Sequence, residues 1–295
     1  MLHSEKIIAI ILNYNSSEDS IELYNEIKEL YKNIALLVVD NNSHLRDKKN
    51  LIKHIEASDL IFNKKNRGYA GGNNVGIKKA IKENFEYVWI LNPDIRIDKN
   101  TLTGLVETLE SDLTIAAVGP RICFRNDKTK IYSDGGIIYK ERGFYTTHLN
   151  SNKNISDLKD QNVIQSADYI NGSVMLVRTS VLKKIGLMLE DFFLYFEETE
   201  WCLRAAKNKL KLLVNTNAKA YHTSSTKGKL YTYYMTRNRI LLAKHQKEYY
   251  KETVDIVWKK VVKQLKSDVK KRKVSAITFN LLKGFLAGYF GKLKK

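Results

Sequence analysis

The sequence predicts an α/β protein built on a mostly parallel β-sheet, on the strength of three observations. Short apolar runs alternate along the chain with amphipathic segments, which is the order that parallel strands joined by crossover helices require. The apolar runs are continuous, as expected of strands buried on both faces. Hydrophobic residues make up 43% and charged residues 28% of the 295 residues, which is typical of a folded protein. This length fits one large domain with an appendage, or two small domains.

The predicted elements follow one another in a Rossmann-like strand–helix order. The expected strands are residues 7–12, 34–39, 87–91, 116–118, 174–177 and 210–214, the last continuing to 221. The expected helices, in which apolar side chains recur three and four residues apart, are residues 17–31, 74–85, 99–109 and 199–207. Residues 125–165 are polar and irregular, and are expected to form a loop-rich insertion or a hairpin. Such a sheet binds its ligands beyond the carboxyl ends of the strands.

Cysteine content and hydropathy exclude several classes of protein. Cys123 and Cys202 lie far apart and form neither a CxxC pair nor a zinc-finger spacing, which excludes a disulfide scaffold and a structural Cys-zinc site. The first apolar run is too short for a secretory signal, and no stretch of 18 apolar residues follows. We therefore expect a cytoplasmic protein that crosses no membrane.

The last sixth of the chain carries most of the excess positive charge. Residues 251–295 hold 13 Lys and Arg against 3 Asp and Glu, a net charge of +10 out of +18 for the whole chain. A basic helical stretch at 259–273 precedes an amphipathic segment at 276–290. The apolar stripe of that segment consists of Ile277, Leu281, Phe285 and Tyr289, and the closing lysines are Lys292, Lys294 and Lys295. This combination favours a helix lying on an anionic membrane surface. The alternatives are a helix packed on the main domain and, less favoured in the absence of a recognised binding module, a nucleic-acid contact.

Polar side chains stand at the ends of three predicted strands, where the sheet should bind its ligand. The three segments are Asn13-Tyr14-Asn15, Asp40-Asn41-Asn42-Ser43 and Asn92-Pro93-Asp94. Asp40 is placed to accept hydrogen bonds from a nucleotide base or ribose. Pro93 stiffens the corner before Asp94, and an outward carboxylate there suits a divalent cation that bridges to phosphate oxygens. The alternative is that these residues only form turns and helix caps.

A glycine-rich segment, residues 66–76, leads into the second predicted helix. Glycines such as Gly71 let the backbone approach a ligand closely, and the N-terminus of the helix, near Asn74, favours anions. The segment matches neither a GxGxxG nor a Walker pattern. The alternative is therefore a plain glycine-rich loop that enters a helix.

An acidic stretch at the start of the fourth predicted helix follows a run of aromatic residues. The helix dipole favours acids such as Glu197, Glu198 and Glu200 in the first turn, but it does not explain why apolar aromatic residues precede them. A carboxylate set against aromatic walls suits a general base with a raised pKa. Further along, His222 ends a strand and is either structural or a second metal ligand. Arg237, beside Tyr and Met, suits clamping a diphosphate or forming a surface ion pair.

Taken together, these segments resemble family 2 glycosyltransferases of the GT-A fold, and most closely the bacterial rhamnosyltransferase-like branch. The matching segments, in the order of the family, are IILNYN at 10–15, VVDNNS at 38–43, NRGYAGGNN at 66–74, LNPD at 91–94, NGSVMLVR at 171–178, FFLYFEE at 192–198, His222 and YMTRNR at 234–239. The resemblance implies a catalytic domain over residues 1–245 and a membrane-associating helical tail over residues 246–295.

The resemblance also implies roles for individual residues. Asp94 stands at the second acid of the Asp-x-Asp motif and would hold Mg²⁺ or Mn²⁺ on the donor diphosphate, with His222 as a further ligand. Glu198 stands at the catalytic base, which is Asp in many relatives. The residues expected to bind the nucleotide-diphosphate part of the donor are Asn13, Asn15, Asp40, Arg67, Gly71, Asn74, Asp94 and Arg237.

The activity implied is the transfer of a sugar, with inversion, from a nucleotide-diphospho-sugar to a lipid-linked saccharide in bacterial surface polysaccharide synthesis. dTDP-rhamnose is the first choice of donor, and a UDP-hexose is the alternative. A nucleotidyltransferase is a more distant alternative, because no triphosphate-binding loop follows the first strand, and a non-catalytic binding protein is another. The expected location is the inner face of the cell membrane, with no nucleic-acid partner.

Overall fold

The structure is a computed structural model that describes residues 4–160, 162–223 and 229–291. These residues contain one ten-stranded sheet and a separate two-stranded hairpin. The strands are β1 Ile7–Asn13, β2 Ala35–Asp40, β3 Leu60–Phe62, β4 Tyr87–Leu91, β5 Ile95–Ile97, β6 Ile115–Phe124, β7 Asp127–Ser133, β8 Gly136–Tyr139, β9 Tyr145–His148, β10 Ile164–Ser166, β11 Val174–Arg178 and β12 Lys211–His222. The helices are α1 Ser17–Leu30, α2 Leu45–His54, α3 Gly68–Lys82, α4 Thr101–Glu110, α5 Thr179–Ile185, α6 Glu197–Lys207, α7 Lys229–Gln246, α8 Tyr250–Lys270 and α9 Ala276–Phe290.

The main path of the sheet has the order β10-β12-β6-β11-β4-β1-β2-β3, and the four strands β4-β1-β2-β3 run parallel to one another, as predicted. β1 pairs in parallel with both β2 and β4, and β12 pairs in parallel with β6. β11 runs antiparallel between β4 and β6. In the β1–β2 register Asn13 lies opposite Asp40, while Ile11 lies opposite Leu91 of β4. The polar ends of β1, β2 and β4 therefore lie along one edge of the sheet.

Two apolar cores lie on the two faces of the sheet, which explains why the strands are apolar throughout. Ile8 and Ile10 of β1 belong to the core under α3, α5 and α6, whereas Ile7 and Ile11 belong to the core under α1 and α4. All four side chains are at most 1% exposed. Successive residues of a strand point to opposite faces, so a strand covered on both sides must be apolar at every position.

Most predicted elements are confirmed, but α3 begins earlier than expected. The helix is predicted to begin at residue 74, after the glycine-rich segment, whereas it begins at Gly68 and includes that segment despite the low helix propensity of glycine. The packing of α3 against β1 explains the earlier start of the helix. A Cβ at Gly72 would lie 2.4 Å from the Leu12 side chain, and one at Gly76 would lie 2.7 Å from that of Ile10. The absence of side chains lets α3 lie directly on β1, and this contact outweighs the low helix propensity.

The polar region 125–165 contains more regular structure than the sequence suggests. β7 pairs with β6, β8 and β9 form the hairpin, and β10 pairs with β12. A buried ion pair between Arg121 and Asp134, with Nη2 and Oδ2 2.8 Å apart, fixes the end of β7. Its two side chains are at most 1% exposed, so a wholly internal charge pair holds this polar region on the sheet.

The tail consists of α8 and α9, which pack beside α7. α9 spans residues 276–290 as predicted, but of the predicted stripe it buries only Leu281. The other buried residues are Thr278, Gly284 and Gly288. The glycines bring α9 against the backbone of α7, while Ile277 and Tyr289 of the predicted stripe are exposed. None of the helices within the described ranges has an apolar stretch long enough to cross a bilayer. Lys292, Lys294 and Lys295 lie outside the described residues.

Candidate active site

One hydrogen-bond network joins the carboxyl ends of β1 and β2. The Asn13 amide donates from Nδ2 to the Asp40 carboxylate at 2.9 Å and to the Ser43 hydroxyl at 3.0 Å. The Ser43 backbone N–H donates to the other Asp40 oxygen at 3.1 Å, and the Asn15 N–H donates to Ser43 Oγ at 2.8 Å. Asn13 and Asp40 are fully buried. The structure therefore brings together three residues predicted to bind the nucleotide, in a network that also shapes the edge of the sheet.

The glycine-rich segment joins two parts of the protein. Arg67 forms an ion pair with Glu190 at 2.9 Å, and Asn74 Nδ2 donates to the same carboxylate at 3.2 Å. Gly71 lies beside them, where a Cβ would be 3.1 Å from Glu190 Oε2. Three further predicted nucleotide-binding residues therefore meet around one carboxylate. The sequence analysis expects the glycines to let a ligand approach, whereas in the structure their small size lets α3 approach other protein segments.

Asp94 and His222 meet where the ends of β4 and β12 come together. His222 lies opposite Ile95 in the antiparallel β12–β5 pair, and its Nε2 lies 3.4 Å from Asp94 Oδ2. Burial lowers the pKa of His222, although the Asp94 charge opposes this shift, and the imidazole is therefore mostly neutral at pH 7. Within the described part of the chain, Asp94 Oδ1 and His222 Nδ1 are buried without a hydrogen-bond partner.

This pair of side chains fits a divalent cation. Carboxylate oxygen and neutral imidazole nitrogen are both ligands for Mn²⁺, and a cation bound through few protein groups completes its shell with phosphate oxygens and water. Among residues 4–160, 162–223 and 229–291 no group of three or more His, Cys, Asp or Glu side chains is arranged to hold a metal. Within the described residues, the candidate ligands are therefore the pair Asp94 and His222. The remaining coordination positions of a bound cation stay open for a diphosphate.

The loop that precedes α6 has an unusual backbone. Phe193, Tyr195 and Phe196 have φ angles of 64°, 69° and 74°, in the left-handed region that non-glycine residues rarely adopt. Gly68, itself at φ 71°, leaves space for the Phe193 carbonyl, which accepts the Tyr69 N–H at 2.6 Å. The loop therefore turns sharply beside α3, immediately before the acidic residues of α6.

The three acids of α6 have different environments. Glu197 is 2% exposed, and burial together with the neighbouring Glu198 raises its pKa well above the usual range. Burial raises the pKa of Glu198 to about 7. Glu200 is fully buried and accepts from Arg204 Nε at 2.8 Å, with His245 Nε2 3.2 Å away. Glu200 is therefore held by structural contacts, whereas Glu198, with a pKa raised to about 7, is the candidate for a group that exchanges a proton near neutral pH.

A cavity of about 1080 Å³ has Asp94, His222 and Glu198 in its lining. Its walls are rich in aromatic rings and hydroxyl groups. The tyrosines among the lining residues are Tyr69, Tyr132, Tyr145, Tyr169, Tyr195 and Tyr231. The Tyr132 ring stacks on the His222 imidazole with centroids 4.9 Å apart. Hydroxyl-bearing aromatic walls suit the ring faces and hydroxyl groups of sugars.

Several lining residues belong to regions that the sequence analysis left without a function. Tyr132 lies in β7 and Tyr145 in β9, within the region interpreted as an insertion. The recurrence of tyrosine in that otherwise polar region is the feature of the sequence that indicates a ligand-binding wall. On the opposite wall, α7 contributes Tyr231 and Met235, and α8 contributes Val257. The tail is therefore part of the cavity wall.

Arg237 lies near the acidic loop. Its Nη1 donates to the Asp191 carbonyl oxygen at 2.9 Å and to Asn238 Oδ1 at 2.6 Å. The structure thus places this predicted diphosphate ligand on the backbone of the segment that leads to Glu198. Its contact with a diphosphate stays a prediction.

Comparison with known proteins gives a consistent picture. Residues 8–186 match the family model described as "Glycosyl transferase family 2". The chain is 31% identical over 206 residues to the low-salt glycan biosynthesis hexosyltransferase Agl10 of Haloferax volcanii, covering 69% of this chain and 62% of that protein. It is 25% identical over 259 residues to the dTDP-rhamnosyl transferase RfbF of Shigella flexneri, covering 81% of this chain and 80% of that protein. The rhamnosyltransferase WbbL of Escherichia coli is 25% identical over 222 residues, with 70% and 79% covered.

Solved structures show the same fold at low sequence identity. GalNAc-T7, solved with UDP, GalNAc and Mn²⁺, has a TM-score of 0.60 at 15% identity, covering 78% of this chain and 47% of that chain. The mannosyltransferase PcManGT from Pyrobaculum calidifontis, in complex with GDP-Man and Mn²⁺, has a TM-score of 0.60 at 13% identity, covering 97% and 88%. The GT-A fold expected from the sequence is thereby confirmed.

Proposed function

Because the chain belongs to glycosyl transferase family 2, we propose that it moves a sugar, with inversion, from a nucleotide-diphospho-sugar to a hydroxyl group of a lipid-linked saccharide. The observation that carries this proposal is the cavity whose lining contains the Asp94–His222 pair together with Glu198. One space thus combines a site that suits a cation-bound diphosphate with an acid that ionises near pH 7.

In the proposed reaction Glu198 acts as the general base. Its carboxylate takes the proton from the acceptor hydroxyl, and the oxygen attacks the anomeric carbon opposite the diphosphate. The bond from that carbon to the diphosphate oxygen breaks as the new glycosidic bond forms, so the configuration inverts in one step. Burial of Glu198 in this cavity raises its pKa to about 7, so the carboxylate can both take and release a proton near neutral pH.

A bound Mg²⁺ or Mn²⁺ would supply the charge that stabilises the departing diphosphate. Asp94 and His222 are the residues that would hold it, since His222 Nε2 faces Asp94 Oδ2 at 3.4 Å and, within the described chain, Asp94 Oδ1 is buried without a hydrogen-bond partner. The neutral imidazole needs no deprotonation before it binds a cation. Two related structures were solved with Mn²⁺, which supports this part of the proposal.

The proposed donor is dTDP-rhamnose, because two similar proteins are named as rhamnosyltransferases. A UDP-hexose is the alternative, since another relative is named as a hexosyltransferase, of which this chain spans 62%. We retain nucleotide binding as the proposed role of the strand-end network, of the cluster around Glu190 and of Arg237. The residues of the two clusters are Asn13, Asn15, Asp40, Arg67, Gly71 and Asn74.

Thermal unfolding with UDP, dTDP, GDP, ATP and a short DNA, each with Mn²⁺ or with EDTA, tests the donor class. One nucleoside diphosphate should raise the unfolding temperature with Mn²⁺ and much less with EDTA. A ligand at a hundredfold its Kd adds about 2.7 kcal/mol to the free energy of unfolding, which is readily measured. A shift with dTDP alone supports rhamnose as the sugar. Stabilisation by DNA and by no nucleotide would contradict the proposal.

We also propose that the tail seats the enzyme on an anionic membrane, at the inner face of the cell membrane. α9 buries its small residues against α7 and leaves several large apolar side chains exposed, namely Ile277, Phe279, Leu286, Tyr289 and Phe290. Asp268 fixes the corner between α8 and α9, because its carboxylate accepts from the Ser275 N–H at 2.6 Å and from the Thr278 hydroxyl at 2.5 Å. α8, which packs against α9, carries exposed lysines that include Lys263 and Lys266. Apolar and basic groups held together are typical of interfacial helices.

Replacing Phe279, Leu286 and Phe290 by Ser should release the protein from vesicles that contain phosphatidylserine. Each side chain, already partly covered, contributes about 1 kcal/mol, so partition should fall roughly 100-fold. The control replaces three apolar residues outside the tail that are at least as exposed as a set, Leu45, Ile52 and Leu113, by Ser. Sedimentation with vesicles measures both. Equal binding of the tail variant and the wild type, or equal loss in the control, would show that α9 is not the anchor.

A further inference from the structure

The loop that leads to Glu198 needs an external restraint. Three aromatic residues within it, Phe193, Tyr195 and Phe196, have left-handed backbones, at φ angles between 64° and 74°. Such a conformation costs about 1–3 kcal/mol per non-glycine residue and persists only where the surroundings hold it. The loop ends directly at Glu197 and Glu198, so its conformation decides where these carboxylates point.

Asn238 of α7 supplies a restraint of this kind. Its Nδ2 lies 2.8 Å from each of three backbone carbonyl oxygens of the loop, those of Phe192, Leu194 and Tyr195. The side chain is fully buried. One amide nitrogen therefore draws together carbonyl groups from both sides of the sharp reversal, and these groups would otherwise point apart.

The orientation of the Asn238 amide is fixed by its neighbour. Asn238 Oδ1 accepts from Arg237 Nη1 at 2.6 Å, so the Nδ2 side faces the three carbonyls. The same guanidinium donates to the Asp191 carbonyl at 2.9 Å. Two consecutive residues of α7 thus hold the backbone from Asp191 to Tyr195. A carboxylate at position 238 has no N–H group. It would place an oxygen acceptor against the three carbonyl oxygens, which are also acceptors.

α7 is itself held from its other side at this turn. A Cβ at Gly284 of α9 would lie 2.6 Å from the Tyr233 carbonyl oxygen, and one at Gly288 would lie 2.7 Å from that of Arg237. The two glycines therefore let α9 lie against the α7 backbone at Arg237, one residue from Asn238. On the far side of the loop, the Phe193 carbonyl accepts from the Tyr69 N–H at 2.6 Å. The loop is enclosed between α7 and α3.

We propose that Asn238 is a positioning residue, which holds the left-handed loop so that Glu198 points into the cavity. This inference rests on the proposed function, in which Glu198 is the base. Asn238 does not belong to the cavity lining, so it acts through the loop and makes no contact with substrate. The tail then has a part in catalysis besides membrane attachment, since α9 supports the turn of α7 that carries Asn238.

The activity test compares Asn238→Asp and Asn238→Ala with Asn215→Ala. Asn215 is a matched buried asparagine, which donates to the Gly104 carbonyl at 3.0 Å and joins β12 to α4 away from the cavity. The assay measures nucleoside diphosphate release from dTDP-rhamnose and UDP-glucose, with water as the acceptor. A misplacement of about 1 Å costs roughly 100-fold in rate, so both Asn238 variants should lose about that factor in kcat and bind dTDP or UDP as tightly as the wild type. Asn215→Ala should lower the unfolding temperature and leave kcat within about threefold. An Asn238→Asp protein with wild-type kcat would overturn the proposal.

Hydrogen exchange provides a readout that does not depend on activity. The amide groups of residues 192–198 should exchange at least ~10-fold faster in Asn238→Asp than in the wild type or in Asn215→Ala, because the restraint on the loop is lost. Unchanged exchange in this segment would overturn the proposal even if kcat falls. Absence of turnover in the wild-type protein would contradict the proposed function instead, and the exchange experiment would still decide whether Asn238 restrains the loop.

Discussion

Replacing Glu198 by Gln is expected to lower kcat by about 10²–10⁴-fold, while the affinity for the nucleoside diphosphate stays within about twofold. The amide has almost the same shape as the carboxylic acid but accepts no proton, so only the chemical step is lost. Steady-state kinetics with the donor, together with calorimetric binding of the nucleoside diphosphate, separate the two quantities.

The neighbouring acid provides the matched control for this experiment. Burial and the adjacent carboxylate raise the pKa of Glu197 well above its usual range. The proposed mechanism assigns no proton transfer to Glu197, and Gln has the shape of the carboxylic acid, so turnover of Glu197→Gln should fall by less than about tenfold. A larger loss in Glu197→Gln than in Glu198→Gln would assign the base to Glu197.

The pH dependence gives a second check on the assignment of Glu198. Its pKa is raised to about 7, and a base must be ionised to take a proton. In the wild type, kcat/KM should therefore rise with pH up to about 7 and then level off. The residual activity of Glu198→Gln should lack this rise. An unchanged pH profile in the variant would show that another group causes it.

Replacing Asp94 by Asn should weaken Mn²⁺-dependent binding of the nucleoside diphosphate by about 100-fold. The substitution removes the charged member of a two-residue site, and losing one partner of a buried charge interaction costs about 2–5 kcal/mol. Calorimetric titration of the nucleoside diphosphate, with Mn²⁺ and with EDTA, measures the effect. With EDTA the variant and the wild type should bind equally weakly.

Asp98→Asn is the matched control for this prediction. Asp98 lies four residues further along, and its carboxylate accepts from the Tyr221 hydroxyl at 2.9 Å, outside the cavity. An amide oxygen also accepts that hydrogen bond, so nucleotide binding should stay within about twofold of the wild type. If Asp94→Asn binds with Mn²⁺ as tightly as Asp98→Asn does, Asp94 is not a metal ligand.

Local patterns in the sequence predict the central part of this fold because each pattern depends only on residues that are close together in the chain. A strand covered on both faces must be apolar at every position, and residues 87–91 are read correctly on that basis. The Asn92-Pro93-Asp94 corner is likewise recognised as the end of a strand, because proline limits its own backbone and that of the residue before it.

Contacts between distant segments decide the features that the sequence analysis does not find. α3 begins at Gly68, before the predicted start, because Gly72 and Gly76 have no side chains and let the helix pack on Leu12 and Ile10 of β1, which are distant in the chain. The tyrosines of β7 and β9 become cavity walls because the Arg121–Asp134 ion pair holds this polar region on the sheet. Neither relation leaves a periodic signal in the sequence.

Local sequence patterns are sufficient to predict the α/β order, the edge of the sheet that carries the polar residues and the acids at the start of α6. These follow from hydrophobic periodicity and from the backbone limits of proline and glycine, which act over a few residues. The raised pKa of Glu198, the approach of Asp94 to His222 and the contacts of Asn238 with the loop before Glu198 follow only from the folded arrangement. Burial and hydrogen bonding between distant segments set these properties, because the pKa of a carboxyl group and the conformation of a strained loop depend on what surrounds them in space.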